Sequence, residues 1–267
     1  MHRYIRRAIS AVALAVASLF GMVSSAVPAA AAPRETVVVY GDSLTWEAKD
    51  FLAVLGAANG MATDVRSFGG TATCDWFADM RTHLPKVRAK VVVLAFSGNN
   101  ITPCMRPHGA YLVGEDLRAK YAADTKTAIS LARSTGARVV LVGAPRSHGS
   151  GHDWDFLHET YRDVAARAST FVDYVDGGRL IAPGGAWSRT RSCLAHERRI
   201  VNADGTRSCN RANKIAVRAP DGAHFCPGGA MAVNGITTTC RKYSSGAFRY
   251  ASTIVRGSYY TIFGRYP

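Results

Sequence analysis

The sequence contains no G-x-S-x-G segment, no H-E-x-x-H pair and no Walker-type glycine loop. These absences set aside the α/β-hydrolase elbow, the zinc-protease helix and P-loop nucleotide chemistry. No C-x-x-C pair occurs and no Cys and His residues fall at zinc-finger spacing, so neither a metal nor another cofactor is expected. Acidic residues are scarce: 19 Asp and Glu stand against 33 Lys and Arg, for a net charge of +14. The basic residues are scattered and match no nucleic-acid motif, so nucleic acid is not an expected partner. The excess reads as a solvated basic surface, with an anionic cell wall or lipid surface as the specific alternative. No internal repeat and no linker composition divides the chain, and a monomer is the default expectation.

What is present begins with a leader. Arg3, Arg6 and Arg7 precede an apolar stretch over 8–27, and small residues at 29–32 offer an A-x-A-like cleavage site. That order reads as a secretory signal peptide over 1–32, with one domain over 33–267. A membrane anchor is the rival reading, but no basic stop-transfer cluster follows the apolar run. Cleavage would remove three arginines and no acid, lowering the charge from +14 to +11. All six cysteines, Cys74, Cys104, Cys193, Cys209, Cys226 and Cys240, follow the leader. An even number in an exported chain suggests three disulfides. Spacing does not determine their connectivity; sequential pairing is the expectation.

β-branched and apolar runs predict buried strands at 36–40, 62–68, 91–96, 138–142 and 170–174. Helical stretches fall between them, at 46–58, 74–84, 115–135 and 156–168, with Gly136 as a C-cap. Alternation of this kind predicts a parallel sheet covered on both faces. Residues 176–217 are irregular, rich in Gly, Arg and Asn, and hold two cysteines, so they read as a disulfide-stapled insertion. The Tyr-rich tail from 240 is expected to add an edge strand.

Three predicted strands end directly in polar or glycine-rich turns, at Ser43, at Gly69-Gly70 and at Asn99-Asn100. In an open parallel sheet these carboxyl ends share one edge, where ligands bind. Ser43, between a strand and a helix, is the candidate nucleophile, although a serine there is more often only an N-cap. A serine hydroxyl needs a base and the base needs an orienting group. Asp221-Gly222-Ala223-His224 supplies both within one turn. His224 would take the Ser43 proton and Asp221 would hold the ring. The Ser43 and Gly70 N–H groups and an Asn99 or Asn100 amide are candidate oxyanion donors, with Gly69 a rival to Gly70. Trp46, Trp76 and Trp154 are candidates to line an acyl or sugar pocket, beside the commoner core or surface roles.

In order, Gly41-Asp42-Ser43-Leu44, Gly70, Ser97-Gly98-Asn99-Asn100 and Asp221-x-x-His224 resemble the four motif blocks of SGNH/GDSL hydrolases. The resemblance spans almost the whole chain after the leader. It implies a flavodoxin-like three-layer α/β/α sandwich, a Ser43–His224–Asp221 triad, and an oxyanion hole from Ser43, Gly70 and Asn99. It also implies an ester substrate and no metal. The third block departs from the usual Gly-x-Asn-Asp, and aligning on Gly98 rather than on the strand end would select Asn100. A Cys74–Cys104 bridge would tie the second and third blocks together, and Cys226–Cys240 would fix the histidine loop. The expected activity is carboxylic-ester hydrolysis outside the cytoplasm. An O-acyltransferase acting on envelope sugars and a non-catalytic wall-binding module are the alternatives.

Overall fold

The structure is a computed structural model and describes residues 34–148, 153–233 and 236–267. The segment read as a leader, 1–32, lies outside the described residues. Five parallel strands form the central sheet: β1 (Glu35–Gly41), β2 (Met61–Ser67), β3 (Val91–Ala95), β4 (Arg138–Gly143) and β5 (Val172–Asp176). Their spatial order is β2-β1-β3-β4-β5. This is the flavodoxin-like doubly wound order, with its reversal point between β1 and β3.

Strand periodicity explains the layers. Successive side chains point to opposite faces, so Val38, Tyr40, Val92, Leu94 and Leu141 enter one core and Val37, Val39, Val93 and Val140 enter the other. The first core is covered by α2 (Phe77–Val87), α3 (Gly114–Arg133) and α4 (Asp153–Arg167), through residues such as Leu84, Ile129 and Leu157. The second is covered by α1 (Ser43–Ala58) and α5 (Ser245–Phe263), through Leu52, Ala251 and Ile254. Each fully buried aliphatic side chain stabilises the fold by about 1.5–3 kcal/mol. The three-layer sandwich expected from the sequence is therefore the observed fold.

The tail corrects an expectation. It forms the 19-residue helix α5, not an edge strand. Ser244 caps it by accepting from Ala247 N at 3.1 Å, and Gly264 ends it in the left-handed region. Ala247, Ala251, Ile254 and Val255 recur at helical spacing and are all buried. Tertiary burial of that stripe outweighs the strand preference of the tyrosines and β-branched residues. A Cβ at Gly246 would lie 2.2 Å from Val217 O, so only glycine lets α5 approach the Val217 backbone this closely. The structure also starts α1 at Ser43, earlier than the predicted 46.

The insertion carries a short antiparallel pair, β6 (Thr190–Ser192) and β7 (Lys214–Ala216). The Cys193–Cys209 disulfide staples it. Its Glu197 is fully buried and pairs with Arg249 of α5 at 3.1 Å, which ties the insertion to the sandwich. A second pair, β8 (Ala230–Val233) and β9 (Ile236–Cys240), follows the histidine loop and had no clear sequence signal.

Candidate active site

Ser43 is the first residue of α1, separated from the end of β1 only by the N-cap Asp42, so its N–H lies at a helix N-terminus without an intrahelical partner. Its Oγ lies 2.9 Å from His224 Nε2, 181 residues away in sequence. His224 Nδ1 lies 2.7 Å from Asp221 Oδ2. Asp221 Oδ1 accepts from the Ala223 and His224 N–H groups at 2.9 and 3.0 Å. Burial raises the Asp221 pKa, but the hydrogen bonds from His224 and the two N–H groups outweigh this and hold the carboxyl below its ordinary range.

The turn that presents this pair is braced from several sides. Gly222 has φ +77°, and a Cβ there would lie 2.5 Å from His148 Cβ. Trp187 Nε1 donates to Gly222 O at 3.0 Å. Arg218 is almost completely buried, and its guanidinium donates to Ala223 O at 2.5 Å and Arg146 O at 2.7 Å. Burial pushes its pKa down to about 10. Ser244, the cap of α5, donates to Phe225 O at 2.7 Å. The Cys226–Cys240 disulfide closes the far side.

Asp42 joins the other motif blocks. It is fully buried, and its Oδ1 accepts from Leu44 N at 3.1 Å. Its Oδ2 accepts from Ser97 N at 2.6 Å, Ser97 Oγ at 2.5 Å and Asn99 Nδ2 at 3.0 Å. Burial raises the pKa of this carboxyl against the opposing effect of those donors. Asn99 Nδ2 also reaches Thr71 O at 3.2 Å, and Tyr121 OH donates to Asn99 O at 2.8 Å. The turns after β1, β2 and β3 are thus locked together. Asn100 instead donates to Leu112 O at 2.8 Å, toward the 101–113 segment.

Gly70 has φ +76° and lies under Ile101, whose Cδ1 would be 2.8 Å from a Cβ there. A Cβ on Gly69 would lie 3.9 Å from Ser43 Cβ. The Cys74–Cys104 disulfide fastens the short helical turn Thr73–Trp76 to Pro103–Met105, and so the second block to the third. Replacing both cysteines by serine is expected to cost about 2–4 kcal/mol. A lower denaturation midpoint, with m unchanged or raised as the unfolded chain expands, would show this.

The cavity at Ser43 has a volume of about 450 Å³ and is lined by Trp46, Glu47, Pro220, His224 and Pro227, among others. A larger groove of about 790 Å³ lies between α3 and α4, but no histidine lines it. The site is assigned on chemistry rather than size. Trp46 packs on Phe68 with ring centroids 6.5 Å apart. Trp76 packs edge-on against Tyr40 and donates to Thr71 Oγ1 at 3.1 Å, a supporting role. The Trp154 side chain lies outside the described residues.

The structure therefore brings Ser43, Asp221 and His224 together, with Gly70 and Asn99 on adjoining turns. Sequence reasoning missed Arg218, for which no local pattern exists. It also missed Glu47, one helical turn after Ser43, whose Oε2 accepts from Phe225 N at 2.5 Å. Its i+4 spacing from Ser43 was the available signal.

Architecture and site geometry define an α/β/α sandwich of the kind found in GDSL-type lipases and acylhydrolases. A structure described as a "putative acylhydrolase" from Bacteroides fragilis matches with a TM-score of 0.50 at 15% identity, over 84% of this chain and 88% of that one. A GDSL-like lipase from Bacteroides thetaiotaomicron matches with a TM-score of 0.51 at 12% identity, over 82% and 85%. At these identities the likeness concerns the fold. The chain belongs to the family described as "Protein of unknown function (DUF459)", whose model matches residues 36–237. Among curated proteins, no sequence matches this chain.

Proposed function

We propose that this protein is a serine hydrolase that cleaves carboxylic esters through an acyl-Ser43 intermediate. The observation that carries the reading is the continuous relay from Ser43 Oγ to His224 Nε2 at 2.9 Å and from His224 Nδ1 to Asp221 at 2.7 Å. Nucleophile, base and orienting carboxylate meet at hydrogen-bond distance, as acyl transfer by a serine requires. His224 takes the hydroxyl proton as Ser43 Oγ attacks the ester carbonyl. It returns that proton to the departing alkoxide, leaving the acyl-enzyme and a free alcohol. Water then enters and gives its proton to His224 as it attacks the acyl carbon; His224 returns that proton to Ser43 Oγ as the acyl–oxygen bond breaks, releasing the acid and the free serine. Asp221 stays ionised throughout and stabilises the imidazolium.

The tetrahedral oxyanion would be met by the N–H groups of Ser43 and Gly70 and by the Asn99 amide. For Asn99, the proton now shared with Thr71 O is the one available. Asn99 is favoured over Asn100 because its amide lies between Asp42 and Thr71, on the turns beside Ser43 and Gly70, whereas the Asn100 amide turns toward Leu112 O. The acyl group would lie along an apolar rim. Phe68 is 65% exposed beside Trp46, and Ile101 is 53% exposed over Gly70.

We further infer that the mature domain acts outside the cytoplasm after cleavage near residue 32, as a monomer, with its basic surface facing anionic cell wall or lipid. Three disulfides fit such a setting.

The test is hydrolysis of p-nitrophenyl acetate, butyrate and palmitate, each with Ser43→Ala in parallel. Butyrate is expected to exceed acetate in kcat/KM, since each buried methylene adds about 0.8 kcal/mol. No turnover of any ester by folded protein would refute hydrolysis. Turnover only with a polyol acceptor present would make the protein an acyltransferase.

A further inference from the structure

Glu47 stands one turn beyond Ser43 on α1, so both side chains leave the same face of the helix. It lines the same cavity as Ser43 and His224. Its carboxylate accepts from the N–H of Phe225, the residue immediately after His224, at 2.5 Å. A direct hydrogen bond thus connects the helix bearing the nucleophile to the backbone bearing the base. The histidine loop is also held by Arg218, Trp187, Ser244 and the Cys226–Cys240 disulfide. Glu47 holds it from the side of Ser43.

The groups around this carboxylate are His224 and Asp221 of the loop and the buried Arg218 behind it. Asp50 of α1 and Arg241, Lys242 and Tyr243 after β9 line a neighbouring recess that Glu47 shares. Burial raises the pKa of Glu47, while the Phe225 N–H and His224 oppose that rise. In its ionised form its charge would stand near the imidazolium that forms during acylation, in addition to the charge of Asp221.

We propose that Glu47 is a positioning residue for His224: it fixes the distance between base and nucleophile by clamping the backbone after the imidazole, and it adds a second negative charge beside the ring. The catalytic part of this statement rests on the serine hydrolase reading; the clamp itself does not. Protonation of Glu47 weakens the acceptor and removes the charge together, so both contributions fade on the acid side.

Two variants and two readouts test it. Glu47→Ala removes acceptor and charge, while Glu47→Gln keeps a carbonyl acceptor without charge. With p-nitrophenyl butyrate, Glu47→Ala is expected to lose about 10- to 100-fold in kcat, the scale of a small misplacement of a catalytic group. KM should stay within about twofold, because no substrate contact is removed. Glu47→Gln should recover most of kcat at neutral pH and show an altered acid limb in its pH profile. Independently, the Phe225 amide resonance should titrate with Glu47, above the ordinary glutamate range, in the unmodified protein and should lose that step in Glu47→Gln. The proposal is overturned if Glu47→Ala keeps its kcat and pH profile, if the loss lies wholly in KM, or if the Phe225 amide ignores Glu47. Should Glu47→Ala fail to fold, Glu47→Gln and the amide titration decide alone. Should the unmodified protein cleave no ester, the hydrolase reading fails, and the amide titration still decides whether the clamp exists.

Discussion

Ser43→Ala is expected to lower kcat on p-nitrophenyl butyrate by at least about 10⁴-fold, with the melting temperature nearly unchanged. Ser43 is half-buried and its Oγ has one side-chain partner, His224, among the described residues. Truncation therefore removes the nucleophile without opening the core. Groups that act as a unit lose nearly all their effect when one is removed. His224→Ala should accordingly cost about as much as Ser43→Ala, and the double variant little more than either. A fluorophosphonate that acylates serine nucleophiles should label the unmodified protein and spare Ser43→Ala. Full labelling of Ser43→Ala would place the nucleophile elsewhere. The depressed pKa of Asp221 fixes a sign as well. Its contribution to stability is present above the unfolded-state value and is lost as the pH falls through the lower folded-state value.

Asp42→Asn is expected to be the most damaging conservative change in the chain. Four hydrogen bonds converge on this buried carboxylate, from Leu44, from Ser97 twice and from Asn99. An amide nitrogen in place of either oxygen would face a donor with a donor. Leaving buried donors unsatisfied costs about 1–3 kcal/mol each, so a loss of about 3 kcal/mol is expected. That corresponds to a fall of about 6–12 °C in Tm for a domain of this size. Activity should fall too, because the turn carrying Asn99 is held to the turn carrying Ser43 through this group. The pH dependence has the opposite sign to that of Asp221. Burial raises the Asp42 pKa, so the folded state binds its proton more tightly than the unfolded state does. This one group therefore favours folding increasingly as the pH falls from its folded-state value toward its unfolded value. Asp42→Asn should remove that component from a plot of stability against pH. An unchanged Tm and an unchanged kcat would show that Asp42 does not organise the site.

Several features were legible without coordinates because their signals are local. Apolar runs of five or six residues, separated by helical stretches, impose strands covered on both faces, and hence a parallel sheet. A strand running straight into Gly-Asp-Ser-Leu puts a serine at the carboxyl edge, and Asp-Gly-Ala-His puts a carboxylate beside an imidazole within one turn. The even set of cysteines after the leader signalled disulfides, and the structure pairs them sequentially, as expected. The tail misled because tyrosines and β-branched residues favour strands in isolation, whereas its buried stripe could be recognised only against the sheet it covers.

Neighbours along the chain were enough to show the alternating strands and helices as far as β5, the chemistry at each strand end and the even set of cysteines. The tertiary structure alone decided which asparagine joins Asp42, that Asp42 is the hub of three turns, that Arg218 is buried behind the histidine loop, and that Glu47 reaches Phe225 across 178 residues. Those facts depend on hydrogen-bond partners brought together by packing, and burial then sets their strength and their pKa values. Neither partner identity nor burial has a period or a motif that the chain could display in advance.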